Sequence, residues 1–162
     1  FPKILKKEPN AKLVIVGDGY MRGELEELTR KNGVSGRVIL KGFIDDSELV
    51  QVMKSSDVVV VSSRFEPFGI VALETMAAGV PIAASGVDGL LEIVEHEKNG
   101  LLFDPNNIDD IAKAVVRILA DRTLAERLSA NAGEKVKMFN WGDMAEKTMQ
   151  VYCKAVEDAR FE

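Results

Sequence analysis

Residues 58–74 read VVVVSSRFEPFGIVALE, and they are the clearest indication of how this chain folds. The four consecutive valines, Val58 to Val61, are typical of a parallel strand that is buried on both faces. The apolar segment that follows Gly69 and stops at Gly79 predicts a helix. The stretch is therefore expected to form a strand, a loop and a helix, with the loop at the carboxyl end of the strand.

Two carboxylates, Glu66 and Glu74, lie eight positions apart in this otherwise apolar loop and helix start. Between Arg64 and Lys98 the sequence has no lysine or arginine, so no cation close in sequence can neutralise them. Leaving a carboxylate unpaired in apolar surroundings costs on the order of several kcal/mol. We therefore predict that a hydroxyl-rich ligand, such as a sugar or a ribose, is their partner.

The pattern of a strand followed by a glycine-rich loop and a helix recurs along the chain. Further strands are predicted over residues 13–16, 38–40, 81–84 and 101–103. Helices are predicted over residues 46–52, capped by Asp46 or Ser47, over 109–121 and 123–138, and over 141–162 after the cap candidate Asn140. This alternation predicts one α/β domain, residues 1–162, with a doubly wound, Rossmann-like parallel sheet. Ligands of such sheets bind at the carboxyl ends of the strands.

Composition excludes several classes of function. The formal net charge of −5 argues against a nucleic-acid or anionic-membrane surface, since both need clustered lysine and arginine. No apolar run approaches the roughly 20 residues that span a bilayer. Cys153 is the only cysteine, which excludes an internal disulfide and suits a reducing compartment. A cytoplasmic protein without a membrane span is expected.

Phe68, Gly69 and Ile70 open the helix after the valine strand, so free backbone N–H groups and the positive end of the helix dipole are expected to face a bound anion. The alternative is that Gly69 only relieves crowding at a tight turn. Glu74 follows Ile70 by four positions and shares its face of the helix, within reach of a ligand at the helix start. The alternative for Glu74 is a solvated surface glutamate.

Other patterns are less specific. Gly17-Asp18-Gly19 with Gly23 loosely matches a dinucleotide fingerprint, but the third glycine is one position late and no acid follows at the end of the next strand. His96, between two glutamates, is interpreted as a solvated loop residue. Trp141 is expected to pack the last helix.

Six short motifs of the chain match one family pattern. They are Gly17-Asp18-Gly19, Gly42-Phe43-Ile44, Ser62 to Gly69, Glu74, Gly79-Val80-Pro81 and Asn99-Gly100-Leu101. With these motifs the chain resembles the donor-binding half of the retaining glycosyltransferases with the GT-B fold, the group that includes glycogen and starch synthases. The resemblance covers nearly the whole chain, and the sequence of residues 63–69 is especially similar to glycogen synthases.

The resemblance implies a role for each matching residue. Glu66 would lie by the transferred sugar and the reacting centre, as the catalytic residue, and Glu74 would bind the ribose hydroxyls. The remaining donor-binding residues would be Phe68, Gly69 and Ile70, through N–H groups to the sugar and diphosphate, Gly17 at the nucleotide, and Phe43 and Ile44 at the base. Transfer would retain the anomeric configuration without a metal or cofactor. The implied donor is ADP-glucose or UDP-glucose, and the implied acceptor is a glucan or another sugar.

The chain also departs from the family pattern. Asp88 stands where the family has the first of two paired glycines, which puts a negative side chain near the expected phosphate loop. The family's first strand, the arginine and lysine after it, and the acceptor-binding N-terminal domain are not found in these residues. We therefore expect a fragment, inactive by itself, whose sheet lacks a central strand between the strands at Leu13 and Val58. A strand-swapped homodimer or a rearrangement would fill that position.

Two alternatives remain open from the sequence, and a third is disfavoured. The chain could be a nucleotide-sugar-binding or structural module without activity, or part of a GT-B-fold epimerase. A phosphorylase that uses pyridoxal phosphate is disfavoured, because no motif supplies a cofactor lysine.

Overall fold

A computed structural model of the chain describes residues 1–159, and it is an α/β structure in which every strand pairing is parallel. The strands are β1 (Leu13–Val16), β2 (Val38–Gly42), β3 (Val59–Val61), β4 (Ile82–Ser85) and β5 (Leu101–Phe103). The helices are α1 (Pro2–Leu5), α2 (Arg22–Lys31), α3 (Asp46–Lys54), α4 (Ile70–Ala77), α5 (Leu90–Ile93), α6 (Ile108–Ala120), α7 (Arg122–Val136) and α8 (Trp141–Asp158), and a 3₁₀ turn spans Ser35–Arg37. The α/β fold class predicted from the sequence is confirmed.

The strands form two sheets rather than one. β1 pairs with β2, while the second sheet has the order β3-β4-β5. Within residues 1–159, β1 and β3 each have a strand partner on one edge only. These are the two strands between which the sequence analysis expected a central strand to be missing, so the division into two sheets falls at that position.

The expectation that the valine strand is buried on both faces is wrong. Val60, in the middle of β3, keeps 37% of its surface exposed, whereas all four residues of β4 are buried. The physical reason is the position of each strand: β3 lies at the edge of its sheet, and β4 pairs with a strand on either side. A run of β-branched residues favours a strand but does not determine which strand becomes central.

The hydrophobic core surrounds β4. One cluster of buried residues joins β3 and β4 to α4, α5 and α7, and a second joins β4 and β5 to α6 and α7. Asn99 is a buried polar residue in the segment just before β5. Its side-chain amide donates a hydrogen bond to the Ile93 carbonyl at 3.0 Å and accepts one from the Glu95 N–H at 2.7 Å. These two bonds hold the segment before β5 in place and satisfy the buried Asn99 side chain.

Side-chain caps begin several of the helices. Asp45, rather than the predicted Asp46 or Ser47, caps α3 by accepting a hydrogen bond from the Glu48 N–H at 2.9 Å. The Ser47 hydroxyl and the Glu48 N–H hold the pKa of the Asp45 carboxyl below its ordinary value. The predicted cap of the last helix is confirmed, because the Asn140 side chain accepts from the Asp143 N–H.

Helix α8 begins at Trp141, as expected, and residues 160–162 of the predicted 141–162 helix lie outside the described residues. No residue of α8 is buried. The expectation that Trp141 packs this helix is wrong, since the indole is 88% exposed. In the described part of the chain, no helix combines the length and the hydropathy needed to cross a membrane.

Replacement of Ile82 tests the central position of β4. We expect Ile82→Ala to lower the free energy of unfolding by about 2–5 kcal/mol, because a fully buried side chain leaves a cavity. Ile39→Ala is the matched control, since Ile39 lies in β2 with 48% of its surface exposed and should cost about 1 kcal/mol or less. Urea denaturation followed by circular dichroism measures both values, and equal losses would contradict the assignment of β4 as the core strand.

Candidate active site

The carboxyl ends of β1 and β2 meet in a backbone contact. The Gly17 N–H donates to the Gly42 carbonyl at 2.8 Å, and both glycines have positive φ, at 112° and 73°. Phe43 follows with 88% of its side chain exposed, and Ile44 is half-buried. The structure therefore brings three of the predicted donor-binding residues, Gly17, Phe43 and Ile44, to one pair of strand ends.

A cleft of about 310 Å³ lies beside these strand ends. Its lining includes Gly17, Asp18, Tyr20 and Arg22. The Arg22 guanidinium lies 3.6 Å from the Asp18 carboxylate and donates to the Leu40 carbonyl at 3.2 Å. Arg22 was not among the site residues predicted from the sequence, and its spacing of four from Asp18 was the one local signal for this pair. The Arg22 guanidinium is therefore already paired within the protein. Apolar residues, among them Leu25 and Leu40, make up much of the remaining lining.

Glu66 is fixed by four hydrogen bonds. Its carboxylate accepts from the Ser63 hydroxyl and from the Gly69 N–H, each at 3.2 Å. Its backbone N–H donates to the Asp88 carboxylate at 3.1 Å, and its carbonyl accepts from the Gly89 N–H at 3.0 Å. Both the main chain and the side chain of Glu66 therefore have defined partners, two of them in the loop after β4.

The loop after β3, residues 62–69, is in close backbone contact with the loop after β4, residues 86–89. A Cβ atom placed on Gly89 would lie 2.7 Å from the carbonyl oxygens of Pro67 and Phe68. Gly69 begins α4 with a φ of 99°, a conformation that favours glycine. Gly69 therefore combines the two features considered from the sequence: it forms a tight turn, and it lies at the start of α4.

The start of α4 keeps unused hydrogen-bond donors. The Gly69 N–H is taken by Glu66, but within residues 1–159 the N–H groups of Phe68 and Ile70 have no protein acceptor. Ile70 is 60% exposed, so this helix end is open to solvent. Free N–H groups and the helix dipole together favour an anion here.

The two carboxylates differ in environment, and the expectation that both lie in apolar surroundings is wrong. Glu74 is exposed on α4, and Glu66 is half-buried with its own hydrogen-bond donors. The reason is that α4 turns its Ala72, Thr75 and Met76 face to the core, which leaves Glu74 on the opposite side. No ion pair in the described residues involves either glutamate, so both remain available to a ligand.

The predicted site residues form two groups. Gly17, Phe43 and Ile44 belong to the β1–β2 sheet, and the remaining five belong to the loop after β3 and to α4. No hydrogen bond in the described residues joins the two groups. In the same range, no group of three His, Cys, Asp or Glu side chains is arranged to hold a metal ion. His96 lies outside both groups, and its Nδ1 accepts a hydrogen bond from the Leu102 N–H at 2.9 Å.

The fold and the loops at its strand ends define a Rossmann-like α/β domain of the kind found in glycosyltransferases with the GT-B fold. The chain belongs to the family described as "Glycosyl transferases group 1", whose profile matches residues 1–135. The resemblance stated from the sequence motifs is confirmed at the level of this family.

Three proteins illustrate the family relationship. The chain is 47% identical over 157 residues to an uncharacterized glycosyltransferase of Methanocaldococcus jannaschii, covering 96% of this chain and 40% of that protein. It is 33% identical over 160 residues to the glycogen synthase of Mycobacterium tuberculosis, covering 98% and 39%. A crystal structure of Anabaena HepE in complex with UDP-glucose matches with a TM-score of 0.81 at 25% identity, covering 94% of this chain and 44% of that one. The chain thus spans about two fifths of the curated relatives it matches.

Replacement of Gly89 tests the contact between the two loops. Gly89 has a φ of −60°, so an alanine there meets no backbone strain, but its Cβ would overlap the Pro67 and Phe68 carbonyls. We expect Gly89→Ala to lower the free energy of unfolding by about 1–3 kcal/mol. Gly133→Ala is the control, since Gly133 lies in α7 with open space around it and should gain about 0.5–1 kcal/mol. A neutral result for Gly89→Ala in thermal or urea unfolding would show that the loops do not pack closely.

Proposed function

We propose that this chain is the donor-binding domain of a retaining glycosyltransferase that moves a sugar, with glucose as the first candidate, from a nucleotide sugar to a glucan or another sugar acceptor. Membership of the glycosyl transferases group 1 family supports transfer of a glycosyl group. The similarity to HepE, which was crystallised with UDP-glucose, supports a nucleotide-sugar donor. The similarity to a glycogen synthase supports glucose.

The observation that carries this proposal is the fixed position of Glu66 beside the open start of α4. Its carboxylate is oriented by the Ser63 hydroxyl and the Gly69 N–H, while the Phe68 and Ile70 N–H groups are free in the described residues. A carboxylate next to an anion-binding helix end suits a ligand with a sugar on one side and a phosphate on the other. Glu66 is therefore proposed as the catalytic residue at the transferred sugar.

Each of the other site residues has a part in the proposal. The Glu74 carboxylate, exposed and without a cation partner in residues 1–159, would accept hydrogen bonds from the ribose hydroxyls. Such a charged hydrogen bond contributes about 1.5–3 kcal/mol. The backbone N–H groups of Phe68, Gly69 and Ile70 would hold the sugar and diphosphate.

The second group of residues would receive the nucleoside. Gly17 would let the nucleotide approach the turn after β1, and Phe43 and Ile44 would contact the base. Their placement at the ends of β1 and β2 suits this role, because ligands of parallel α/β sheets bind at the carboxyl ends of strands.

The proposed reaction retains the configuration at the anomeric carbon and uses neither a metal nor a cofactor, with the leaving phosphate assisting the incoming hydroxyl. Acceptor recognition is assigned to an N-terminal domain beyond residues 1–162, so the chain alone is proposed to be inactive in transfer. A strand from outside this copy, for example from a second copy in a swapped homodimer, would pair with the open edges of β1 and β3. A cytoplasmic location is part of the same proposal.

A nucleotide-sugar-binding module without catalytic activity is the second candidate. The observation that favours it is that both oxygens of the Glu66 carboxylate already accept hydrogen bonds from the protein, one from the Ser63 hydroxyl and one from the Gly69 N–H. The epimerase alternative shares the same donor site and differs in whether a free sugar acceptor is consumed.

Titration with nucleotide sugars tests the donor site. We expect the chain to bind UDP-glucose or ADP-glucose in isothermal titration calorimetry, and Glu74→Ala to weaken that binding at least about tenfold, because a charged hydrogen bond to the ribose is lost. Glu134→Ala is the matched control, since Glu134 is an exposed glutamate on α7 that pairs with Lys137, the residue directly after the helix. The mass of the chain in solution, measured in the same samples, distinguishes a monomer from the proposed homodimer. A folded chain that binds neither donor, or a Glu74→Ala variant with unchanged affinity, would contradict the proposed donor site.

Replacement of Glu66 separates catalysis from binding. In the longer parent protein, Glu66→Gln should lower the rate of sugar transfer by about 100- to 1000-fold, the range for loss of one charge-stabilising group at a reacting centre. Its affinity for the donor should change by less than about threefold, because the glutamine oxygen can accept from the Gly69 N–H while its NH2 group donates to the Ser63 hydroxyl oxygen. Undiminished transfer by Glu66→Gln would contradict the catalytic assignment and leave Glu66 only a binding or scaffold role.

A further inference from the structure

Asp88 lies in the loop after β4, in a conformation that few residues adopt. Its φ is 41°, in the left-handed region, which aspartate tolerates better than most side chains. From the sequence, this carboxylate was expected to disturb a phosphate near the glycine loop. The structure gives it a protein partner instead, since its Oδ2 accepts the Glu66 N–H at 3.1 Å.

The next residue completes the contact. Gly89 donates its N–H to the Glu66 carbonyl at 3.0 Å, so two consecutive residues hold the two main-chain polar groups of Glu66. The Glu66 carboxylate is meanwhile held by Ser63 and Gly69 of its own loop. With both groups hydrogen-bonded, the backbone at Glu66 is restrained, and this restraint limits the direction in which its side chain leaves the main chain.

We infer that Asp88 is a positioning residue for Glu66: its carboxylate holds the Glu66 backbone so that the Glu66 side chain is oriented before a donor binds. The consequence for a ligand rests on the proposed function, because it requires Glu66 to face the transferred sugar. A glycine at position 88 would permit the same φ but would leave the Glu66 N–H without this acceptor. An asparagine would permit the φ and keep an acceptor oxygen.

Amide hydrogen exchange, measured by NMR on the 162-residue chain, tests this inference directly. In Asp88→Gly the Glu66 amide should exchange about tenfold faster than in the unchanged chain, because its hydrogen bond to a charged acceptor is lost. In Asp88→Asn the exchange should stay within about threefold. The Gly86 amide, which donates to the Phe103 carbonyl at 2.9 Å, is the internal control, and its unchanged protection shows that the loop and sheet remain folded.

The inference is overturned if Glu66 exchanges at the same rate in Asp88→Gly as in the unchanged chain, or if Asp88→Asn accelerates exchange as much as Asp88→Gly does. Both substitutions suit a positive φ, so a difference between them reports the acceptor oxygen rather than backbone strain.

A titration with UDP-glucose and with UDP separates this inference from the proposed function. Loss of Glu66 orientation should weaken UDP-glucose binding by about three- to tenfold in Asp88→Gly and leave UDP binding unchanged, since UDP has no sugar to contact Glu66. Equal weakening of both ligands would show a general loss of the loop and would overturn the specific role. If the unchanged chain binds neither ligand, the proposed function fails, while the exchange measurements still decide whether Asp88 holds Glu66.

Discussion

The pairing of β4 with strands on both of its edges is the constraint on which the candidate site depends. All four residues of β4 are buried, and the Ser85 hydroxyl at its end donates to the Val61 carbonyl at the end of β3, at 3.2 Å. This hydrogen bond joins the carboxyl ends of the two parallel strands, which end side by side. Because the loops that follow start from this point, they meet side by side, and the contacts around Glu66 follow from that meeting.

The close contact of these loops explains how the carboxylates of Glu66 and Asp88 are held although neither forms an ion pair in the described residues. The Glu66 carboxylate is solvated by a hydroxyl and a backbone N–H, and the Asp88 carboxylate by the Glu66 N–H. Backbone dipoles thus replace the lysine or arginine that a half-buried carboxylate would otherwise need. In the proposed function, the same strategy extends to the ligand, because a diphosphate would be held by the N–H groups at the start of α4.

The site is built from two halves with different degrees of support. The half that carries Glu66 rests on a three-stranded sheet with a buried core on both faces, whereas the half that carries Gly17 and Phe43 rests on the two strands β1 and β2. Val14 of β1 and Ile39 of β2 keep 37% and 48% of their surfaces exposed. In the proposed transferase, the sugar end of the donor would therefore meet the better-packed half, and the nucleoside end the half with less buried surface.

Local sequence patterns determined the elements of this protein, and only the tertiary structure decided their environments. The apolar runs, the glycines at strand ends and the Asn140 cap predicted strands and helices close to those observed, because each depends on neighbours in the chain. The same patterns misjudged β3, whose valines suit a central strand but lie at an edge, and they misjudged Glu74, which α4 turns away from the core. They also did not show that Asp88 and Glu66, 22 residues apart, share a hydrogen bond. Burial and long-range pairing depend on which segments pack together, and that information is not contained in any single stretch of the sequence.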